Sequence, residues 1–173
     1  MKEMFQQFAR YNRWANARLF QAAFALPDDE YQRDVGAFFK SLHGTLNHLL
    51  VTDRIWLKRL TGEGDHPDSV NAIMHDDKRL LAEDRAEQDE RIIKMIDNIR
   101  EETIDQPVKY FNLFGQTFEQ RRSDVLMHLF NHQTHHRGQA HCILSICTKA
   151  EPPTLDLLAM QRGIASPEVR SLT

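Results

Sequence analysis

The stretch His128-Leu-Phe-Asn-His132-Gln-Thr-His135-His136-Arg137-Gly-Gln139-Ala-His141 contains five of the nine histidines of the chain. At about 3.6 residues per turn, histidines four positions apart lie on one stripe of a helix, so His132 and His136 can bind one ion together. Imidazole is a common ligand of zinc, nickel, copper and iron, because its pKa near 6.5 leaves a lone pair free at neutral pH. The stretch therefore predicts a helix that carries two ligands of a metal site.

A third ligand has to come from another part of the chain. His48 lies among the apolar stripe positions of the second predicted helix, which turns its side chain towards the interior. His43 is five residues before it, about 140° away around the helix axis, so the two cannot bind one ion from the same face. We therefore predict a site of three imidazoles from His48, His132 and His136 that leaves one coordination position open for water or substrate.

Such a site suits catalysis, because bound zinc lowers the pKa of water to about 7 or deprotonates a thiol outright. The ligand imidazoles need hydrogen-bond acceptors for their other ring nitrogen, and four candidates are near in sequence: Asp53, Asp124, Asn131 and Gln139. Arg137 and Gln139 flank the site and can meet an anionic group of a substrate. The alternative for Arg137 is an ion pair with a carboxylate where two helices cross.

Length and composition limit the class of protein. With 173 residues and 41% hydrophobic residues, the chain is predicted to form one domain over residues 1–173. The formal net charge is −3 and both signs are interspersed, which disfavours binding to nucleic acid. No apolar run has the length of a signal peptide or a membrane span, so we expect a cytoplasmic protein without a membrane partner.

Hydrophobic periodicity predicts an all-α protein with four long helices. A Gly115 turn between alternating residues predicts a short extended or hairpin-like connection before the last long helix. The predicted helices cover residues 3–25, 35–61, about 70–103 and about 119–147, with a short helical turn after Thr154. In the first helix, Asn12 and Asn16 lie on one side, either at a solvated edge or as the polar lining of a pocket.

Three stretches together resemble the DinB family, a bacterial group of four-helix-bundle metalloenzymes that is also called DinB/YfiT-like. They are Tyr11-Asn-Arg-Trp-Ala-Asn16, Leu42-His-Gly-Thr-Leu-Asn-His48-Leu-Leu-Val-Thr-Asp53-Arg-Ile-Trp56, and Asn131-His132-Gln-Thr-His-His136-Arg-Gly-Gln139. The resemblance reaches from the first helix to the fourth.

The resemblance implies an up-down-down-up four-helix bundle, a homodimer, and a divalent metal, zinc or nickel, on His48, His132 and His136. Characterised relatives include thiol-dependent enzymes, among them bacillithiol S-transferases and a mycothiol-dependent maleylpyruvate isomerase. A low-molecular-weight thiol is therefore an expected cofactor. The family name records damage-inducible expression, a bacterial stress response, and implies no binding to DNA.

Three hypotheses about function follow. The leading one is a metal-dependent S-transferase or hydrolase, in which an ion on the three histidines activates a thiol or water against a small electrophilic substrate. The second is a stress-response bundle that binds metal without turnover. The third is a metal-free protein whose histidines only pack and form hydrogen bonds.

Overall fold

The computed structural model describes residues 1–165, so residues 166 to 173, the end of the predicted domain, lie outside the described part. The protein is mostly helical and has a small two-stranded sheet. Its elements are α1 (Lys2–Phe24), α2 (Asp28–Gln32), α3 (Leu42–Thr61), α4 (Lys78–Asn98), a 3-10 turn (Glu101–Thr103), β1 (Pro107–Phe111), β2 (Thr117–Arg121), α5 (Arg122–Thr148) and α6 (Leu157–Gln161). Within residues 1–165, no helix has the length and apolar character needed to cross a membrane.

Helix α3 begins seven residues later than the predicted start at residue 35. Gly36 and Lys40 both have positive φ, at 79° and 67°, and an isolated bridge pairs Ala37 with Lys40. Left-handed backbone cannot continue a right-handed helix, so residues 35–41 form a loop. Ser41 then caps α3, its hydroxyl accepting a hydrogen bond from the backbone N–H of Gly44 at 3.1 Å.

The predicted extended connection is an antiparallel hairpin, which corrects the expectation of an all-α protein. Strands β1 and β2 pair with Pro107 opposite Arg121 and Phe111 opposite Thr117. Gly115 has a φ of 78° in the turn, a conformation that glycine adopts without strain. The third predicted helix was too long at its start, because residues 70–77 form a loop that ends at Asp77, the N-cap of α4.

The contacts between the long helices define their order. Helix α1 packs on α4 and α5, and α3 packs on the same two helices. Gln6 bonds Asp97 and Asn16 bonds Asp89, so α1 and α4 run in opposite directions. Antiparallel packing of α3 against α5 brings His48 beside His136.

The interior has three apolar clusters, and a polar layer separates the two larger ones. One cluster collects residues from one end of the long helices and the other from the opposite end. Between them lie buried polar side chains from all four helices: Asn12, Asn16, Asp53, Arg85, Asp89, Gln133 and Arg137. Arg85 is at the centre, with Asp53 at 2.7 Å and Asp89 at 2.9 Å.

Candidate metal centre

The antiparallel packing of α3 on α5 brings together the three histidines that the sequence analysis selected. His48, His132 and His136 each offer one nitrogen, and the three atoms lie within 4.8 Å of one another. The ring centroids of His132 and His136 are 4.3 Å apart, as expected for residues one turn apart on a helix. That these residues bind a metal stays a prediction, but their positions meet its first requirement.

Hydrogen bonds set the tautomers of two of the three rings. Nδ1 of His48 lies 2.8 Å from the backbone oxygen of Val70, which can only accept, so Nδ1 carries the proton. Nδ1 of His136 lies 2.7 Å from Oε1 of Gln139 and donates to it. In both neutral rings Nε2 is therefore left with a bare lone pair.

These two bare nitrogens face each other. Nε2 of His48 and Nε2 of His136 are 3.3 Å apart. Two lone pairs at this distance repel each other unless a proton or a cation lies between the rings. Two nitrogens that bind one tetrahedral zinc at about 2.0–2.1 Å lie roughly 3.3 Å apart, so the donor pair fits such an ion.

His132 completes the donor set without competition from another protein group. Its Nδ1 is buried and has no hydrogen-bond partner within residues 1–165. Leaving a buried polar nitrogen without a partner costs about 1–3 kcal/mol of folding free energy. The ring of His132 therefore keeps a nitrogen that no described protein group uses. The donor set as a whole fits a divalent transition metal better than a network of paired imidazoles.

Burial keeps the three rings neutral. It lowers the pKa of His48 to about 4 and, with a smaller contribution from the neighbouring imidazoles, the pKa of His132 to about 3. The pKa of His136 is also lowered, again mainly by burial. A neutral imidazole is the form that ligates metal, so all three donors are ready at neutral pH.

The loop before α3 covers one side of the centre. The ring of Phe39 stacks on His48 with centroids 3.9 Å apart and meets His136 edge-on at 5.5 Å. The loop between α3 and α4 contributes the carbonyl group of Val70. Two connecting segments therefore hold and shield the candidate ligand on α3, while the two candidate ligands on α5 stay partly open to solvent.

A cavity of about 520 Å³ opens beside the centre. Its wall includes His48 and His132, followed along α3 by Trp56 and Arg59, and the hairpin turn contributes Phe114. This volume lies within the range of small-molecule sites, and most of the named wall is aromatic. Two of the three imidazoles, those of His48 and His132, thus border a space that can hold a substrate.

Of the four predicted acceptors, only Gln139 bonds a candidate ligand within residues 1–165. Asp53 pairs with Arg85, and Asp124 pairs with Arg121 at the start of α5. Asn131 is exposed and bonds none of the three histidines. The acceptor of His48 is a backbone carbonyl, which no side-chain pattern in the sequence can reveal.

Both interpretations of Asn12 and Asn16 were wrong. The two side chains are 1% and 2% exposed, and both donate to Asp89 in the polar layer. Arg137 is also buried there and donates to the side-chain oxygen of Asn12, so it meets neither a substrate nor a directly paired carboxylate. These three residues join helices rather than line a pocket.

Arg59 and Trp56 were not predicted from the sequence as wall residues of this cavity. Their spacing from His48 carried a signal, because positions 48, 52, 56 and 59 lie on one stripe of a helix. His128, one turn before His132, also reaches this cavity, and its ring lies 5.0 Å from that of Trp56. Phe39 had no such signal, because it lies in a loop whose path depends on tertiary contacts.

Comparison with known proteins agrees with this fold. Residues 1–162 match the model of the DinB family. Protein DinB of Bacillus subtilis (strain 168) is 24% identical over 149 residues, which cover 83% of this chain and 86% of that protein. A solved structure of a DinB-like protein from Bacillus cereus ATCC 10987 has a similar fold, with a TM-score of 0.64 and 16% identity over 85% of this chain and 94% of that one. The family match spans nearly the whole chain, so this protein belongs to the DinB family.

Proposed function

We propose that this protein is a metal-dependent enzyme whose divalent ion, zinc or nickel, is held by His48, His132 and His136. The observation that carries the proposal is the 3.3 Å separation of two bare Nε2 atoms, each with its Nδ1 proton donated elsewhere. When bound, such an ion lowers the pKa of a water or thiol and so supplies a nucleophile at neutral pH.

The residues of the chain have separate tasks in this proposal. The oxygens of Val70 and Gln139 accept hydrogen bonds from Nδ1 of His48 and His136 and so orient the two rings. Phe39 covers the ring of His48 and excludes water from that side. The adjoining cavity binds a small electrophilic molecule, and a low-molecular-weight thiol or a water acts as its reaction partner.

Metal analysis of the purified protein tests the ligands. We expect about one zinc or nickel ion per chain after reconstitution, and a large loss of bound metal in His48→Ala, His132→Ala and His136→Ala. His141→Ala is the matched control, because His141 lies on α5 but contacts the backbone oxygen of Pro153 at 2.9 Å instead. Unchanged metal content in His132→Ala would rule out the proposed site.

Activity is tested separately. Metal-loaded protein is mixed with a panel of thiols and electrophiles, and loss of free thiol or formation of a hydrolysis product is measured. We expect turnover in the loaded wild type and none in the metal-depleted protein. Metal binding without any turnover would favour the second candidate, a bundle in which the ion only joins α3 to α5. That candidate predicts a large fall in melting temperature on chelation, since a bound ion stabilises the folded state.

We also infer that the chain forms one domain, whose four long helices, all within residues 1–165, make an up-down-down-up bundle. The order of the contacts supports this inference. Phe5 meets Phe130 and Asn12 meets Arg137, so α1 and α5 run in the same direction, opposite to α4. The homodimer implied by the family resemblance is tested by the molecular mass in solution.

A further inference from the structure

Arg59 lies in the wall of the cavity beside the candidate metal centre. Its side chain is half-buried, and its Nε donates to the backbone oxygen of Phe111 at 3.0 Å. The guanidinium carbon lies 4.5 Å from the ring centroid of Trp56 and 5.2 Å from that of Tyr110. One hydrogen bond and two aromatic rings therefore hold the guanidinium in place without neutralising its charge.

No anion within residues 1–165 pairs with this cation. Nε of Arg59 donates to the backbone oxygen of Phe111. Its two terminal nitrogens make no hydrogen bond or ion pair with any of the described residues. A half-buried arginine with a free fork of N–H groups is well suited to bind a carboxylate or phosphate in bidentate geometry.

The cavity wall between Arg59 and the imidazoles is largely apolar. Trp56 and Ile55 line it from α3, and Leu113 and Phe114 line it from the hairpin turn. Asp68, a carboxylate of the wall, is exposed, where water screens its charge.

The distance between His48 and Arg59 along α3 indicates how long a ligand must be to contact both residues. Arg59 follows His48 by eleven residues, which corresponds to an axial rise of about 16 Å and to nearly the same side of the helix. A ligand that spans this distance needs a chain or ring system of several bonds between its two polar groups.

We propose that this cavity selects small molecules with an anionic group, a carboxylate or phosphate, which Arg59 binds while the reacting group lies at the three imidazoles. The apolar part of the ligand lies against Trp56. Arg59 is then a specificity-determining residue of the proposed enzyme, and this inference rests on the proposed function. It names a class of substrate or thiol by its charge and shape.

Matched thiol probes test the inference. Zinc-loaded protein of measured metal content is titrated by calorimetry with 6-mercaptohexanoate and 6-mercaptohexanol, and with the corresponding 11-carbon acid and alcohol. We expect the acid to bind about 10-fold more tightly than the alcohol of the same length, for at least one length, because it adds a charge-assisted pair with Arg59. Phosphate-bearing and carboxylate-bearing thiols of one length then distinguish the two anionic groups.

Variants assign any preference to Arg59. Arg59→Gln should bind acid and alcohol equally, and Arg59→Lys should keep part of the preference, because it keeps the charge but loses the planar fork. Arg79→Gln is the control, since Arg79 is an exposed arginine of α4 paired with Glu83. It should behave as the wild type.

The possible failures are distinguishable. Equal binding of acid and alcohol to the wild type at every length, or a preference that survives in Arg59→Gln, would overturn the role of Arg59 and leave the metal site untouched. If zinc-loaded protein binds neither kind of thiol, the thiol chemistry of the proposed function fails and the inference fails with it. If zinc itself does not bind, the metal centre is refuted directly.

Discussion

Two imidazoles of the candidate centre are oriented by acceptors of different kinds. His48 uses the backbone carbonyl of Val70, whereas His136 uses the side chain of Gln139. A side-chain acceptor can be removed by substitution without disturbing the main chain. Gln139 is therefore the residue through which the tautomer of a ligand can be tested.

Substitution of Gln139 by leucine should weaken metal binding about 10- to 100-fold, because His136 loses the acceptor that orients its ring and raises its basicity. Competition with a chelator of known affinity measures the change. Gln21→Leu, on the exposed face of α1, is the control and should leave the affinity unchanged. Equal affinity of Gln139→Leu and wild type would show that His136 is oriented by something else.

The lowered pKa values predict how the stability of metal-free protein depends on pH. The pKa of His48 is about 4 in the folded protein, but such a ring titrates near 6.5 in an unfolded chain. As the pH falls from about 6.5 towards 4, the unfolded chain takes up protons first, so the free energy of unfolding decreases. Between about pH 7.5 and about pH 5, His48 alone accounts for a loss of about 2 kcal/mol.

Urea denaturation of chelator-treated protein at several pH values measures this loss. His132, with a folded pKa of about 3, adds to it in the same direction. A His48→Gln, His132→Gln double variant should show a flatter dependence on pH, and His66→Ala should keep the slope of the wild type. Burial also raises the pKa of Asp53 to about 6, which acts in the opposite direction in both proteins, so equal slopes of the wild type and the double variant would contradict the assigned burial effect.

At the scale of elements, the first turn of α3 determines how the preceding loop covers the candidate metal centre. A Cβ atom at Gly44 would overlap the backbone oxygen of Phe39, so only glycine allows this close approach between helix and loop. The same loop carries the ring that stacks on His48. The N-terminal turn of α3 and the shielding of one ligand are therefore coupled through one contact.

Gly44→Ala should lower the free energy of unfolding by about 1–3 kcal/mol, because the backbone of the loop has to move. It should also displace Phe39 and make His48 more accessible, which modification of histidines by diethyl pyrocarbonate measures. Gly138→Ala on α5 is the matched control: a Cβ there meets nothing within 4 Å, and alanine favours a helix by about 1 kcal/mol over glycine. Equal stabilities of the two variants would refute the proposed contact.

At the scale of the whole molecule, a charged layer crosses the interior between the two larger apolar clusters. Asp53 and Asp89 face Arg85, and Arg137 bonds the asparagines that also bind Asp89. The formal charges of the two arginines and the two aspartates sum to zero, and each long helix contributes at least one side chain to the layer. A buried charge that loses its ion-pair partner destabilises the fold strongly. The layer therefore specifies which helices pack together and in which register.

Removal of the central arginine tests the layer. Arg85→Met should lower the free energy of unfolding by about 3–5 kcal/mol, because Asp53 and Asp89 lose the cation they share. Arg79→Met, at an exposed position of the same helix, should change it by less than about 0.5 kcal/mol. Urea denaturation measures both. A loss below about 1 kcal/mol in Arg85→Met would mean that the layer adds little to stability.

Residue patterns predicted the helices well where the signal is local. The observed α1 and α5 begin and end within three residues of their predicted bounds, because periodic apolar positions lie within one helix. The start of α3 was wrong, because Gly36 and Lys40 take left-handed conformations that a loop imposes. Asn12 and Asn16 were misplaced because their buried partner, Asp89, is more than seventy residues away.

The sequence by itself predicts four long helices, the position of His132 and His136 on one face of a helix, and the family to which the protein belongs. Each of these follows from spacing within one segment or from similarity along the chain. The antiparallel contact of α3 with α5 supplies what spacing cannot: the position of His48 beside that pair, the carbonyl group that orients it, and the unpaired Arg59 in the adjoining cavity. These features arise from the register between distant segments. The backbone of every residue other than proline offers the same donor and acceptor groups, so only folding selects which of these groups meet.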